Sequence, residues 1–170
     1  MGNYVDAVFG HSGISAEVEA ICRTLVEGQG YEPAADCGHP VLSGAAIEKE
    51  WARGRSFALH GPEVLLFLYA REACLYHMDV RWWAFAQDGK MDSGRGRPEV
   101  RERSRRIAAP FGGDRILYLP ESCGPNATGF EGGLDVEEAS LREHFGAPTA
   151  WDVAVPDEGL FFRWFREELG

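Results

Sequence analysis

Lysine is nearly missing from this chain: two residues stand against fifteen arginines in a sequence of 170. With no Gly-Lys-Ser/Thr triplet, a Walker phosphate loop is excluded. The arginine bias suits a GC-rich, bacterial coding sequence and carries no function by itself. Long apolar runs are missing too. Val64–Ala70 is strand length, far short of the ~20 residues a membrane span requires, so no membrane association is expected. Met1–Phe9 lacks both a basic n-region and a long apolar h-region, so no export signal is read there. Cysteine is sparse and scattered: Cys22, Cys37, Cys74 and Cys123, with no CxxC. That excludes paired-cysteine zinc and redox motifs and gives the expectation of four free thiols in a reducing cytoplasm. Cys37-Gly38-His39 would need His60, His77 or Cys123 to converge on it to make a zinc site, and HExxH is absent. No metal and no cofactor are expected. Positive charge is in deficit, with a formal net charge of −10 and a pI of about 4.9. Nucleic acid and anionic membranes are therefore disfavoured as partners, and a basic protein is favoured.

What is present is the material of a packed core: 45% hydrophobic and 12% aromatic residues. A chain of this length buries roughly 70% of its unfolded surface, so a single domain over residues 1–170 needs no staples. Tyr4–Phe9 alternates as a strand. Ser15 is placed to cap a helix over Ala16–Glu27, whose Val18, Ile21, Cys22, Leu25 and Val26 follow helical spacing. Ser43 is placed to cap a second helix over Gly44–Arg53. Ser56–His60 is a short strand closed by Gly61-Pro62. Val64–Arg71 and Cys74 onward (64–71/74–86) make the best hairpin, with a tight turn at Glu72-Ala73. Pro98 opens a helix over Glu99–Ala108. A strand over Ile116–Leu119, a helix from Asp135 to Phe145, a short strand over Trp151–Val155 and a last helix over Asp157–Leu169 complete the reading. Residues 87–98 and 120–133 are loops. The pattern predicts an α+β fold, its sheet mixed or mostly antiparallel, with helices packed mainly on one side.

The sharpest local feature lies in the strand predicted over Cys74–Phe85. Alternation puts Tyr76, Met78, Val80, Trp82 and Ala84 on a core face. Leu75, His77, Asp79, Arg81, Trp83 and Phe85 then share the other face. In a site, Asp79 would orient the imidazole, His77 would act as general base and Arg81 would hold an anionic group. Trp83 would wall one side. The duller reading, cross-strand charge pairing on an open sheet face, is the favoured one.

Gly10-His11-Ser12-Gly13 joins a strand to a helix N-terminus, a position suited to anions. The match to the G-x-S-x-G nucleophile elbow fails at Ile14, so a turn and helix start is the favoured reading. Arg95, Arg97, Arg101, Arg103, Arg105 and Arg106 form a basic segment. Glu99–Arg103 and Glu102–Arg106 spacing supports a helix, and no aromatics interleave for base stacking. This segment is expected to be a solvated helix docked on the protein's own acidic surface. Trp82, Trp83, Phe161, Phe162, Trp164 and Phe165 are too many for one stripe, so some must reach the surface.

Acidity, surplus aromatics and the lack of a complete catalytic motif give the expectation of a small acidic cytoplasmic binding protein, immunity- or adaptor-like, with a basic protein partner. The alternative is a small-molecule or anion-binding protein, or an enzyme, working from the His77/Asp79/Arg81 row.

Overall fold

A computed structural model describes residues 4–34, 41–88, 96–120, 133–153 and 155–170. Cys37, His39, Arg95, Cys123 and most of the two long predicted loops lie outside the described residues. Among the described residues, seven strands form one sheet: β1 (Tyr4–Gly10), β2 (Glu32–Pro33), β3 (Phe57–Gly61), β4 (Val64–Leu68), β5 (Glu72–Arg81), β6 (Arg115–Pro120) and β7 (Phe165–Glu168). Their order is β2-β3-β4-β5-β1-β6-β7, and every pairing is antiparallel. The helices are α1 (Ser15–Gly28), α2 (Gly44–Ala52), α3 (Trp82–Ala86), α4 (Arg97–Ala108) and α5 (Leu134–Phe145). This is the α+β fold that the alternation and helical spacing predict.

The strand period sorts side chains between two cores. Val5, Ala7, Phe9, Leu75, Ile116, Tyr118 and Phe165 face a large cluster with α1, α2, α3 and α4. Val8, Cys74, Leu117, Leu119 and Trp164 face a smaller one closed by Leu134 and Leu141 of α5. Helices therefore cover mainly one face, and among the described residues α5 is the one on the other.

Local chemistry explains the ends of elements. Ser43 caps α2, its hydroxyl accepting from the Ala46 amide at 3.1 Å. Ser15 does not cap α1. It lies inside the first turn and donates to Glu48 Oε1 at 2.7 Å, while Ile14 takes the cap position without a side-chain bond. The β3–β4 turn needs Gly61, because a Cβ there would lie 2.3 Å from the Tyr31 ring.

Four further expectations are corrected. The turn after β4 closes with the Tyr69 amide donating to the Glu72 carbonyl at 2.9 Å, so Glu72 and Ala73 begin β5 instead of forming the turn. The strand ends at Arg81, and Trp82 starts a short helix that buries Trp82 and Phe85 against Phe165. The predicted final helix is a 3-10 turn (Leu160–Phe162) followed by β7, because Gly159 takes φ 76° and Arg163 is extended. Residues 151–153 turn instead of pairing. Outside β7, the Thr149 amide donates to the Trp164 carbonyl at 2.8 Å, and Trp151 Nε1 donates to the Arg166 carbonyl at 3.1 Å.

Candidate functional site

The predicted polar row is broken by an irregularity in β5. Val5 pairs with His77, but the next residue back, Tyr4, pairs with Arg81. The extra residues bulge out, which resets the alternation. Val80 joins the same large core as Leu75. Arg81 leaves the row, its guanidinium 4.5 Å from the centroid of Tyr4, and Tyr4 packs edge-on to Tyr76 of the opposite parity. Trp83 sits on α3, half-buried. The row does not lie on an open sheet face, because His77 is fully buried beneath α4.

His77 and Asp79 are brought together, but by Arg103 of α4. Arg103 NH2 donates to Asp79 Oδ1 at 2.6 Å and NH1 to Oδ2 at 3.1 Å. The same guanidinium lies 2.7 Å from His77 Nδ1. A guanidinium can only donate, so Nδ1 accepts and the proton sits on Nε2, which lies 2.9 Å from Ser104 Oγ. Burial, and then the Arg103 charge, drop the imidazole pKa to about 3 against the pull of Asp79. His77 is thus a neutral acceptor with both nitrogens engaged. Glu63 adds a second carboxylate 3.2 Å from Arg103 NH1, held by a backbone at φ 67°.

The Gly10–Gly13 loop closes on itself. The Gly13 amide donates to His11 Nδ1 at 3.0 Å and the Ile14 amide to Ser12 Oγ at 3.2 Å. His11 Nε2 lies 2.6 Å from the Tyr69 carbonyl, and the ring stacks on Trp51. Burial lowers the His11 pKa against two backbone hydrogen bonds. Gly10 packs under α5, where a Cβ would meet Leu134 at 3.9 Å.

The arginine segment docks on the protein itself. Arg97 donates to the carbonyls of Phe85, Trp151 and Ala86, while Arg101 and Arg105 share Glu167 of β7. Opposite-sign contacts across α4 and the sheet thus replace the solvated helix face with a partly buried one.

Sequence reasoning missed a second polar group, on the α5 face. Glu72 is fully buried and Glu137 of α5 is 1% exposed. Burial and the nearby Glu137 raise the Glu72 carboxyl to about 8. The buried Cys74 thiol is pushed up by burial and by Asp6, Glu72 and Glu137. The signal available was a glutamate leading into the apolar run Ala73–Leu75, which reads as a turn residue when the turn is placed two residues late.

Among the described residues, no group of three or more His, Cys, Asp or Glu is arranged to hold a metal ion, and no helix is long and apolar enough to cross a membrane. Comparison of the chain with known protein families, with curated proteins and with solved structures returns no match.

Proposed function

We propose that this protein binds another protein, a basic one, through the surface built by residues 152–153, residues 155–162 and the end of α5. One observation carries the reading: Phe162 is 66% exposed and packs only 6.1 Å from the Phe145 ring on α5. In the same stretch Phe161 and Val153 are exposed, as are Asp152, Asp157 and Glu158. Glu143, also exposed, precedes Phe145 by two residues. Aromatic anchors with a polar rim are the composition of binding hot spots, and an acidic rim selects a basic partner and speeds encounter. Three of the five arginines of α4 are held by acids of their own, Arg101 and Arg105 by Glu167 and Arg103 by Asp79. An immunity- or adaptor-like role in the cytoplasm fits the reading, as do the buried free thiols Cys22 and Cys74. The enzyme alternative has less support, because His77 is neutral, buried and already accepting from Arg103.

The test is capture of a partner from the native host, with wild type run beside Phe162→Ala and Glu158→Lys. One near-stoichiometric protein, lost at high salt and lost with both variants, sustains the proposal. Binding that ignores salt, or that both variants retain, overturns it.

A further inference from the structure

Helix α5 covers one face of the sheet, and a carboxyl sits in the middle of what it buries. Its buried residues are Leu134, Glu137 and Leu141, which share one helix face. Two leucines, with the partly buried Phe145 at the helix end, are its apolar hold on the smaller core. Its ionic ties lie at the rim. Glu138 meets Arg166 at 2.7 Å and Arg115 at 3.6 Å, and Asp135 also meets Arg115. The Asp135 side chain is 90% exposed, and exposed pairs contribute little. Just past the C-terminus of α5, Trp164 Nε1 donates to the Gly146 carbonyl at 3.0 Å.

Against Glu137 the sheet sets Glu72, which is fully buried and has no hydrogen-bond partner at either oxygen. The groups that face this pair from other elements are acidic as well: Asp6 of β1, Cys74 of β5 and Tyr69 at the turn before β5. Among the described residues, the cations near α5 are directed elsewhere. Arg115 and Arg166 turn to Glu138, Arg166 also to Glu168 of β7, and Arg142 lies over Trp164. The exposed Arg71 runs beside Gly133 at the start of the helix. His11, after β1, keeps its ring against Trp51, with Nε2 at the Tyr69 carbonyl.

Two carboxyls cannot both ionise at ordinary cost in such a place. While α5 is docked the pair therefore keeps a proton, and burial, then Glu137, raise the Glu72 carboxyl to about 8. Once water reaches the site, that proton leaves at the ordinary value near 4.5. Docking and proton retention are thus linked. Between these values opening becomes easier by up to about tenfold per pH unit, and it levels off above about pH 8.

We propose that α5 is a pH-releasable cover, which lifts from the sheet as a unit ahead of unfolding of the rest, and that a rise from mildly acidic to neutral pH favours the lifted form by drawing one proton from the Glu72/Glu137 pair into solvent. Phe145 ends α5 and packs on Phe162, so lifting also takes apart the surface assigned above to partner binding. The release does not require that assignment, and its test uses no partner.

Hydrogen exchange of the whole protein, resolved by residue and corrected for the intrinsic rate at each pH, tests this. Amides of residues 138–145 are expected to open separately from those of β1, with lower protection and a weaker dependence on low urea. Their protection is expected to fall by about tenfold or more from about pH 5.5 to about pH 7.5. Glu72→Gln is expected to abolish that fall and Glu137→Gln to reduce it, and either variant suffices if the other does not fold. Equal protection and equal urea dependence in α5 and β1 overturn the proposal, because the helix then opens only with the whole molecule. No fall in wild type, or a fall undiminished in the variants, overturns it as well.

Discussion

Glu72 of β5 and Glu137 of α5 meet inside the molecule, and neither oxygen of Glu72 has a hydrogen-bond partner. Around them stand Asp6 of β1, Cys74 of β5 and Tyr69 at the β4–β5 turn, all groups that carry negative charge when they ionise. A buried carboxyl in such company keeps its proton.

The sign follows from linkage. The folded state holds the Glu72 proton to about pH 8, while the unfolded carboxyl releases it near 4.5. Stability contributed at this position is therefore full below about pH 4.5 and falls as pH rises to about 8. Glu72→Gln removes the dependence. The variant is expected to exceed wild type by on the order of 1–3 kcal/mol at pH 9, with little difference at pH 4.5. Urea unfolding at the two pH values checks it, and an equal difference at both would refute the assignment.

His77 has the opposite sign. Its folded pKa lies near 3 against 6.5 unfolded, so the unfolded state takes up a proton that the folded state refuses. Stability is lost as pH falls from about 6.5 towards 3, and His77→Gln flattens that slope. Ring nitrogen shifts by NMR are expected to show a neutral, Nε2-protonated imidazole at pH 5. A charged ring at that pH would contradict the geometry with Arg103.

The difference between the two residues shows what a sequence can display. Helical spacing in Val18–Leu25, the Ser43 cap and alternation in Tyr4–Phe9 are local, and each was readable. The β5 irregularity is not local. It exists because Val5 pairs with His77 and Tyr4 with Arg81, so Met78, Asp79 and Val80 bulge, and the Glu63 carbonyl takes the Met78 amide at 3.0 Å. One such insertion moves Arg81 away from His77 and dissolves a row that strict alternation predicts. The Phe161–Phe165 aromatics mislead for a similar reason. Their spacing fits a helix, but Trp164 and Phe165 are needed on opposite faces of a strand. The docking of α4 was partly readable from its charge, whereas its specific partners Glu167 and Asp79 come from distant strands.

Gly61→Ala places a methyl group 2.3 Å from the Tyr31 ring. Overpacking of this kind typically costs 1–3 kcal/mol. The expected loss is about 2 kcal/mol, largely restored when Tyr31→Leu is added. A double-mutant cycle by thermal unfolding measures the coupling, and additive effects would show that the ring does not set the requirement for glycine.

Phe162→Ala is expected to change stability by no more than about 0.5 kcal/mol, as an exposed substitution outside the core does. Its effect on partner capture is expected to be large. A destabilisation of several kcal/mol would mean that Phe162 serves packing with Phe145 rather than recognition.

The flanks of the sheet carry a last consequence. At one side β2 is two residues long and ends in Pro33, which has no amide to donate. At the other, Thr149 and Trp151 already occupy carbonyls on the outer side of the final strand. Unpaired sheet borders are where chains template one another into aggregates, and here both are shortened or stoppered from within. Among the described residues, assembly by continuing the sheet from one copy into the next is thus disfavoured at both flanks.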